Sequence, residues 1–411
     1  MPTAARPIRW TFAVALLCLL LAEVLRVYWI MPFPGSQQGG TVAWAWALDR
    51  AIWPVRAVLG TIVLLSAVAC LRRGGRAARI AVPLGLLLLA LVVWQANGPM
   101  SADVMFRQPH QLRFAPRGAA TLDPHSLVIG ITLEREGAAP ESRAYPVRFL
   151  GHHHQVRDVV AGQPVMATYC TVCRTGRIFR PLVDGTPADF RLVGMDRWNA
   201  MFEDAGTGSW WRQATGEAIV GPLAGKRLEE IPSRQMSWAA WSALHPDTTV
   251  MEPDPAFAEE YDGLADFDDG SRRGGLTGRD PGSWEEKSWV VGVLVGDQAR
   301  AFDWNELDAA RVISDRVGET PILVTLEADG ATFHAFDARL AGRAGPLVLE
   351  TTDAPDRLRD PATGSTWGSD GTALDGPESG TRLAPLRAYQ EFWHSWRTFH
   401  PGTSARRGGG G

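Results

Sequence analysis

Three long apolar stretches open the chain, at residues 10–30, 52–71 and 80–97. Each comes close to the roughly 20 residues a helix needs to cross a bilayer, so residues 1–100 read as a three-helix membrane anchor. The polar interruptions, Glu23, Arg26 and Arg56, fall near the predicted helix ends, where long side chains reach the headgroup layer. The segment after the first stretch, Met-Pro-Phe-Pro-Gly at 31–35, lacks a small-x-small cleavage pattern, and the first span reads as an uncleaved anchor. Residues 41–50, with Trp44 and Trp46, read as an interfacial lead-in to the second span.

Beyond residue 100 the pattern changes to short β-branched or aromatic runs bounded by Gly, Pro and Asp, as at 126–133, 164–169, 321–326 and 331–336. These predict strands. Trp238 and Trp241 precede His245-Pro246, and Trp393 and Trp396 precede His400-Pro401. The three-residue tryptophan spacing places each pair on one face of a short helix that stops before proline. Self-comparison gives an offset of 157 that pairs Tyr145 with Phe302, Asp158 with Asp315, Pro164 with Pro321, Thr168 with Thr325 and Phe179 with Phe336. The expected fold class is therefore N-terminal transmembrane α-helices followed by a mostly-β (α+β) extracytoplasmic region of two tandem related repeats, each closed by a helix, with pseudo-twofold symmetry. Residues 101–251 form the first repeat and 288–405 the second. Residues 252–287, rich in Asp, Glu and Gly, read as an exposed linker or insertion, and 406–411 as a disordered tail.

Charge sets the orientation. Residues 1–100 hold nine arginines and two acids, net +7, which leaves −11 for the remainder of the total of −4. Arg72, Arg73, Arg76 and Arg79 mark the second loop as cytoplasmic, and Arg6 and Arg9 put the N-terminus on the same side. Three crossings then deliver the acidic region to the extracytoplasmic, periplasmic face of the inner membrane. With no basic excess, nucleic acid is not an expected partner; the membrane is.

Four cysteines are too few for a disulfide framework. Cys18 and Cys70 lie in predicted spans as packing residues. Cys170 and Cys173 follow a predicted strand and pair, at the same offset, with Glu327 and Gly330, so only the first repeat carries thiols. The pair reads in three ways: a soft-metal site for copper or zinc with His154, Met195 and His245 as further donors; a redox-active or reactive thiol, lowered in pKa by Arg174 and Arg177, with a thiol or disulfide partner; or a structural disulfide in a non-catalytic interaction module. Arg174 stands where haem attachment would need histidine. His152 and His153 read as a solvated loop, since consecutive strand residues alternate faces. Asp196 and Glu217 are a weak acid/base pair, and of the adjacent Trp210 and Trp211 one faces the core and the other a cleft or the partner repeat. No phosphate loop, G-x-S-x-G or HExxH is present.

Together, Ala144-Tyr145-Pro146, His154 to Asp158, Pro164 to Phe179 with Tyr-Cys-x-x-Cys, and Trp211 to Leu223 with Gln213, Gly216 and Gly221-Pro222-Leu223 resemble the bacterial and archaeal family called domain of unknown function 3179. The resemblance spans about 125–405 and implies no activity. Members usually carry Tyr-Cys-Pro where this chain has Tyr169-Cys170-Thr171, and many have Thr for the second cysteine, which makes a lone thiolate at Cys170 the shared feature. The reading is a membrane-anchored extracytoplasmic protein with a cysteine-centred site that binds a soft metal or acts as a reactive thiol; the alternatives are a periplasmic thiol-disulfide oxidoreductase, with Cys170 as nucleophile and Cys173 resolving, and the interaction module.

Overall fold

Three apolar helices, α1 (Ala5–Tyr28), α2 (Val42–Arg73) and α3 (Arg76–Asn97), begin the chain in the computed structural model, which describes residues 5–37 and 39–407. All three are long and apolar enough to cross a membrane. The expected lead-in at 41–50 is the first part of α2, which runs unbroken through Pro54. At 32 residues, α2 is about 48 Å long, well beyond the hydrocarbon layer. Glu23, Arg26 and Arg56 do not extend singly toward headgroups as expected. Glu23 is fully buried and takes two hydrogen bonds from Arg56, at 2.6 and 2.9 Å, while Arg26 bonds Asp49 at 3.0 Å and Asn97 at 2.6 Å. Pairing removes the cost of carrying those charges alone in an apolar layer.

Two compact units make up the chain: Met1–Arg107 with Ala188–Arg212 and Glu217–Arg227, and Gln108–Pro187 with Gln213–Gly216 and Leu228–Gly411. In the first unit, strands Phe190–Asp196, Asn199–Asp204, Trp210–Arg212 and Ala218–Val220 form an antiparallel meander. Val193, Met201 and Trp210 of that meander share a core with Ile30, Val42 and Ala45. The Trp46 indole donates to the Gly208 carbonyl at 2.8 Å. Gly194 lies against the Ile30 carbonyl, 2.5 Å from where a Cβ would stand, so no side chain fits there. Both neighbouring indoles are buried: Trp210 donates to Glu203 at 2.8 Å and Trp211 to Asp204 at 2.9 Å.

The second unit is mostly β. Strand Leu127–Arg135 pairs with Ala138–Pro146 on one side and Arg234–Ser237 on the other, and Thr249–Met251 runs parallel to Ala138–Pro146. Helix Trp238–Leu244 closes this sheet, its Trp241 lying over Gly130. Gln155–Val160, Gln163–Cys170 and Thr175–Phe179 form an adjoining antiparallel sheet. Further along, Trp289–Val295 pairs with Gln298–Asp303 and Arg387–Phe392, Ser404–Arg406 runs parallel to Gln298–Asp303, and helix Trp393–Phe399 closes that sheet with Trp396 over Gly292. Val312–Val317, Thr320–Leu326 and Phe333–Asp337 form its adjoining sheet, and a meander from Glu350 to Asp375 follows. The acidic segment 252–287, expected to be exposed, is anchored by Phe257, Tyr261 and Phe267, all buried in the core of the first sheets. Of the expected tail, Arg406 is the last residue of a strand and bonds Glu306 and Asp315; residues 408–411 lie outside the described residues.

Candidate functional site

Strands Gln163–Cys170 and Thr175–Phe179 pair in register from Met166 opposite Phe179 to Cys170 opposite Thr175, and the turn between them carries both thiols. The Cys173 amide donates to the Cys170 carbonyl at 3.2 Å. The two cysteines are thus the first and fourth residues of a β-turn, with Cα atoms within about 7 Å. Arg174, at φ 54°, turns the chain back into the sheet. Both cysteines are fully buried, and among the described residues no disulfide joins them. Gly151 of helix Val147–His153 comes so close that a Cβ there would stand 2.9 Å from the Thr171 methyl. Gln213, itself fully buried, ties the strands on either side of the turn by donating to Thr168 Oγ1 at 3.0 Å and the Thr175 carbonyl at 2.9 Å.

The turn is covered by residues distant in sequence. The Phe392 amide donates to the Cys173 carbonyl at 2.9 Å, and His394 Nε2 lies 3.0 Å from the Val172 carbonyl. Thr175 and Ser395 hydroxyls meet at 3.1 Å, and Ser395 donates to Glu391 at 2.8 Å. Arg177 is fully occupied by this arrangement: its guanidinium bonds Glu391 at 2.5 Å and stacks on Tyr389. Arg174 is also committed, donating to Gln390 and to the carbonyls of Phe267 and Asp268 at 2.8–2.9 Å. A further cation is Lys287, whose ammonium donates to the Gly275 and Leu276 carbonyls. Burial lowers its pKa, while Asp280, Cys173 and Cys170 pull it back up, so the ammonium lies within electrostatic reach of both thiols.

The other predicted residues are dispersed. His152 and His153 are buried, not solvated, because 147–153 is a helix and the aromatic residues of the acidic segment cover its end: His153 Nε2 lies 2.6 Å from the Tyr261 hydroxyl and His152 packs on Phe257. His154 ends that helix at φ 60°, and its carbonyl accepts from the Tyr169 amide at 3.0 Å, which sets its backbone beside the strand that leads to Cys170. Burial lowers its pKa to about 4, so its ring is neutral. His245 stacks on Trp241 at the end of its helix, 3.3 Å from the Ser142 hydroxyl. Met195 belongs to the unit of the three apolar helices, where its amide bonds the Ile30 carbonyl. Asp196 and Glu217 flank one guanidinium, Arg212, at 2.5 and 3.7 Å. Among the described residues no three His, Cys, Asp or Glu side chains form a group able to hold a metal ion.

Beside the cysteine turn, on the far side of Arg174, is a cavity of about 600 Å³ lined by Leu127, Arg148, Arg174, Asp268, Trp289 and Asp329 among others. Asp268 accepts from the Leu127 amide, and its carboxyl is raised to about 6 by burial, against the pull of Arg174 and Arg148. Lys287, His394 and Asp268 escape motif reading because they are far from the cysteines in sequence; the one signal is that Lys287 is one of only two lysines.

Residues 108–403 match the family model described as protein of unknown function (DUF3179). No curated protein and no solved structure matches the chain.

Proposed function

The chain belongs to the DUF3179 family, and on that footing we propose that it is a membrane-anchored, extracytoplasmic thiol protein that exchanges disulfides through Cys170 and Cys173. The observation that carries this reading is the placing of two thiols at the first and fourth positions of one β-turn, with the Lys287 ammonium in electrostatic range of both. A nearby cation favours thiolate, the nucleophilic form. The Cys170 thiolate attacks a partner disulfide, forming a mixed disulfide and expelling one partner thiolate; Cys173 then attacks the Cys170 sulfur, expels the second and leaves a Cys170–Cys173 bond. The partner gains two electrons and the pair loses two. The turn's outer residues, Thr171 and Val172, are 7% and 5% exposed, so a small displacement of that cover admits a partner.

The two halves of the β-rich region are read as tandem copies, the second serving as the lid over the thiols. Supporting this, both have the same strand pairing and closing helix, and the tryptophan under each helix donates to a threonine seven residues on: Trp241 to Thr248 at 2.9 Å and Trp396 to Thr403 at 2.8 Å. The arginines of the second loop support an extracytoplasmic placement.

Incubating reduced full-length protein in detergent with oxidised glutathione tests the exchange. Peptide mapping should find a Cys170–Cys173 disulfide in the native chain and a glutathione adduct on Cys170 in Cys173→Ser. Absence of both products rejects the reading.

A further inference from the structure

Arg9, Phe12, Leu16 and Leu20 stand at three- and four-residue intervals and so share one stripe of α1. With Ala77 and Ala81 of α3 they line a groove of about 440 Å³. The alanines contribute only methyl groups, which leaves space between the two helices. Further along α3, Gly85 lies so close to α1 that a Cβ there would stand 2.8 Å from the Leu16 side chain, and the helices touch. Eleven residues separate Arg9 from Leu20, about 16 Å along the helix axis and close to half the roughly 30 Å hydrocarbon layer. Arg9 is the one charged residue in the lining. We propose that this groove binds an anionic phospholipid, with one acyl chain along the stripe and the phosphate on Arg9. The proposal rests on the reading of the three helices as membrane spans and is independent of the thiol chemistry.

Charge selects the occupant. Arg6, Arg9, Arg72, Arg73, Arg76 and Arg79 fall in the first turns of α1 and around the α2–α3 loop; all six are exposed, and among the described residues none pairs with a carboxylate. The two acids of residues 1–100, Glu23 and Asp49, are held by Arg56 and Arg26 near the other end of α1. A hydrocarbon would fill the apolar stripe and leave Arg9 unanswered. A zwitterionic lipid would bring its own cation toward six arginines. The α3 helix of a second copy, docked in parallel through Ala77, Ala81 and Gly85, would set a second group of six against the first. A phosphodiester carrying net negative charge meets the guanidinium fork with paired hydrogen bonds, while its chain covers Phe12, Leu16 and Leu20.

The test titrates full-length, delipidated protein in detergent with dioleoylphosphatidylglycerol, dioleoylphosphatidylcholine and oleate, and reads adducts by native mass spectrometry. The phosphatidylglycerol adduct should form about fivefold more tightly than the phosphatidylcholine adduct. Arg9→Gln should remove most of that preference, and Ala81→Leu, which fills the groove, should weaken both phospholipids. Both positions are exposed, so neither change disturbs a buried contact, and Ala77→Leu is a second groove variant. Arg117→Gln removes the same charge from an exposed site outside the helices and should bind like the native chain. Equal affinity for the two phospholipids, or adducts unchanged in both Arg9→Gln and the groove variants, overturns the proposal. Oleate binding as tightly as phosphatidylglycerol overturns it in favour of a fatty acid. A dimer lost in Ala81→Leu with lipid adducts intact overturns it in favour of a second copy. Release of the native chain from membranes by alkaline carbonate would sink the membrane-span reading and this site with it, whereas a chain retained there that fails the titration loses the lipid site alone.

Discussion

Gln235 and Gln390 hydrogen-bond to each other, Nε2 to Oε1 at 2.8 Å, each on the strand that precedes the closing helix of its own half. The same Gln390 oxygen accepts from Arg174 Nε, so one side-chain amide links both halves and the cysteine turn. Gln390→Leu strips the partner from a buried guanidinium N–H and a buried amide. It should cost about 2–4 kcal/mol in urea unfolding, more than Gln235→Leu, which leaves the arginine bond intact.

Gly130 and Gly292 occupy equivalent places under Trp241 and Trp396, with imagined Cβ atoms 2.4 and 2.3 Å from the rings. Alanine at either site must push a buried indole aside. Each substitution should destabilise by about 1–3 kcal/mol, and by similar amounts, as the proposed duplication requires. Thermal unfolding of the two variants checks this; one tolerant and one intolerant site would argue against equivalence.

Lys287→Met keeps most of the stem but removes a charge in electrostatic range of both thiols. In a Cys173→Ser background, the rate of glutathione adduct formation on Cys170 at pH 7 should fall about tenfold, and Lys287→Arg should restore most of it. A rate unchanged in Lys287→Met would remove the cation from the mechanism.

Acid should destabilise the protein in a defined window. The buried His154 ring resists protonation down to about 4, while an unfolded histidine takes up its proton near 6.5. Stability from this group is complete above 6.5 and declines as pH falls toward 4, by up to about 3 kcal/mol at roughly 1.4 kcal/mol per unit. His400, also lowered to about 4 by burial, acts in the same direction. Asp268 acts oppositely: folded at about 6 and unfolded at 3.8, it holds a proton in the native state that the unfolded chain lacks, and so gains stability as pH drops through that interval. Asp268→Asn should therefore steepen the acid loss between pH 6 and 4, read from denaturant midpoints.

The anchor carries its own prediction. Glu23→Ala leaves Arg56 without its buried carboxylate among apolar helices and should lower the thermal midpoint in detergent markedly, whereas changing Arg50, which is exposed, should matter less.

Much of this was readable in the chain. Hydropathy locates all three long helices, strand runs such as 164–169 and 321–326 fall inside observed strands, and the i, i+3 tryptophans mark both closing helices. Local pattern failed where distant contacts decide. The histidine triplet has no apolar periodicity, and aromatic residues of a segment over 100 positions away cover it as a buried helix end. Composition likewise marks 252–287 as solvated, since it counts the acids and not the three aromatics that anchor them. Arg174 and Arg177 stand next to the thiols in sequence, where backbone carbonyls and Glu391 hold them, while a further cation, Lys287, reaches the same region from more than 100 positions away.

The meander from Phe190 to Val220 completes its core with Ile30, Val42 and Ala45. A soluble fragment cut to begin at residue 101 would strip those partners away, baring Val193, Met201 and Trp210 and leaving the Gly208 carbonyl without its Trp46 donor. Such a fragment should aggregate or proteolyse at the 188–227 excursion, however well its sheets fold. For this chain the three apolar helices are part of the folding unit, and biochemistry on it belongs in detergent or lipid.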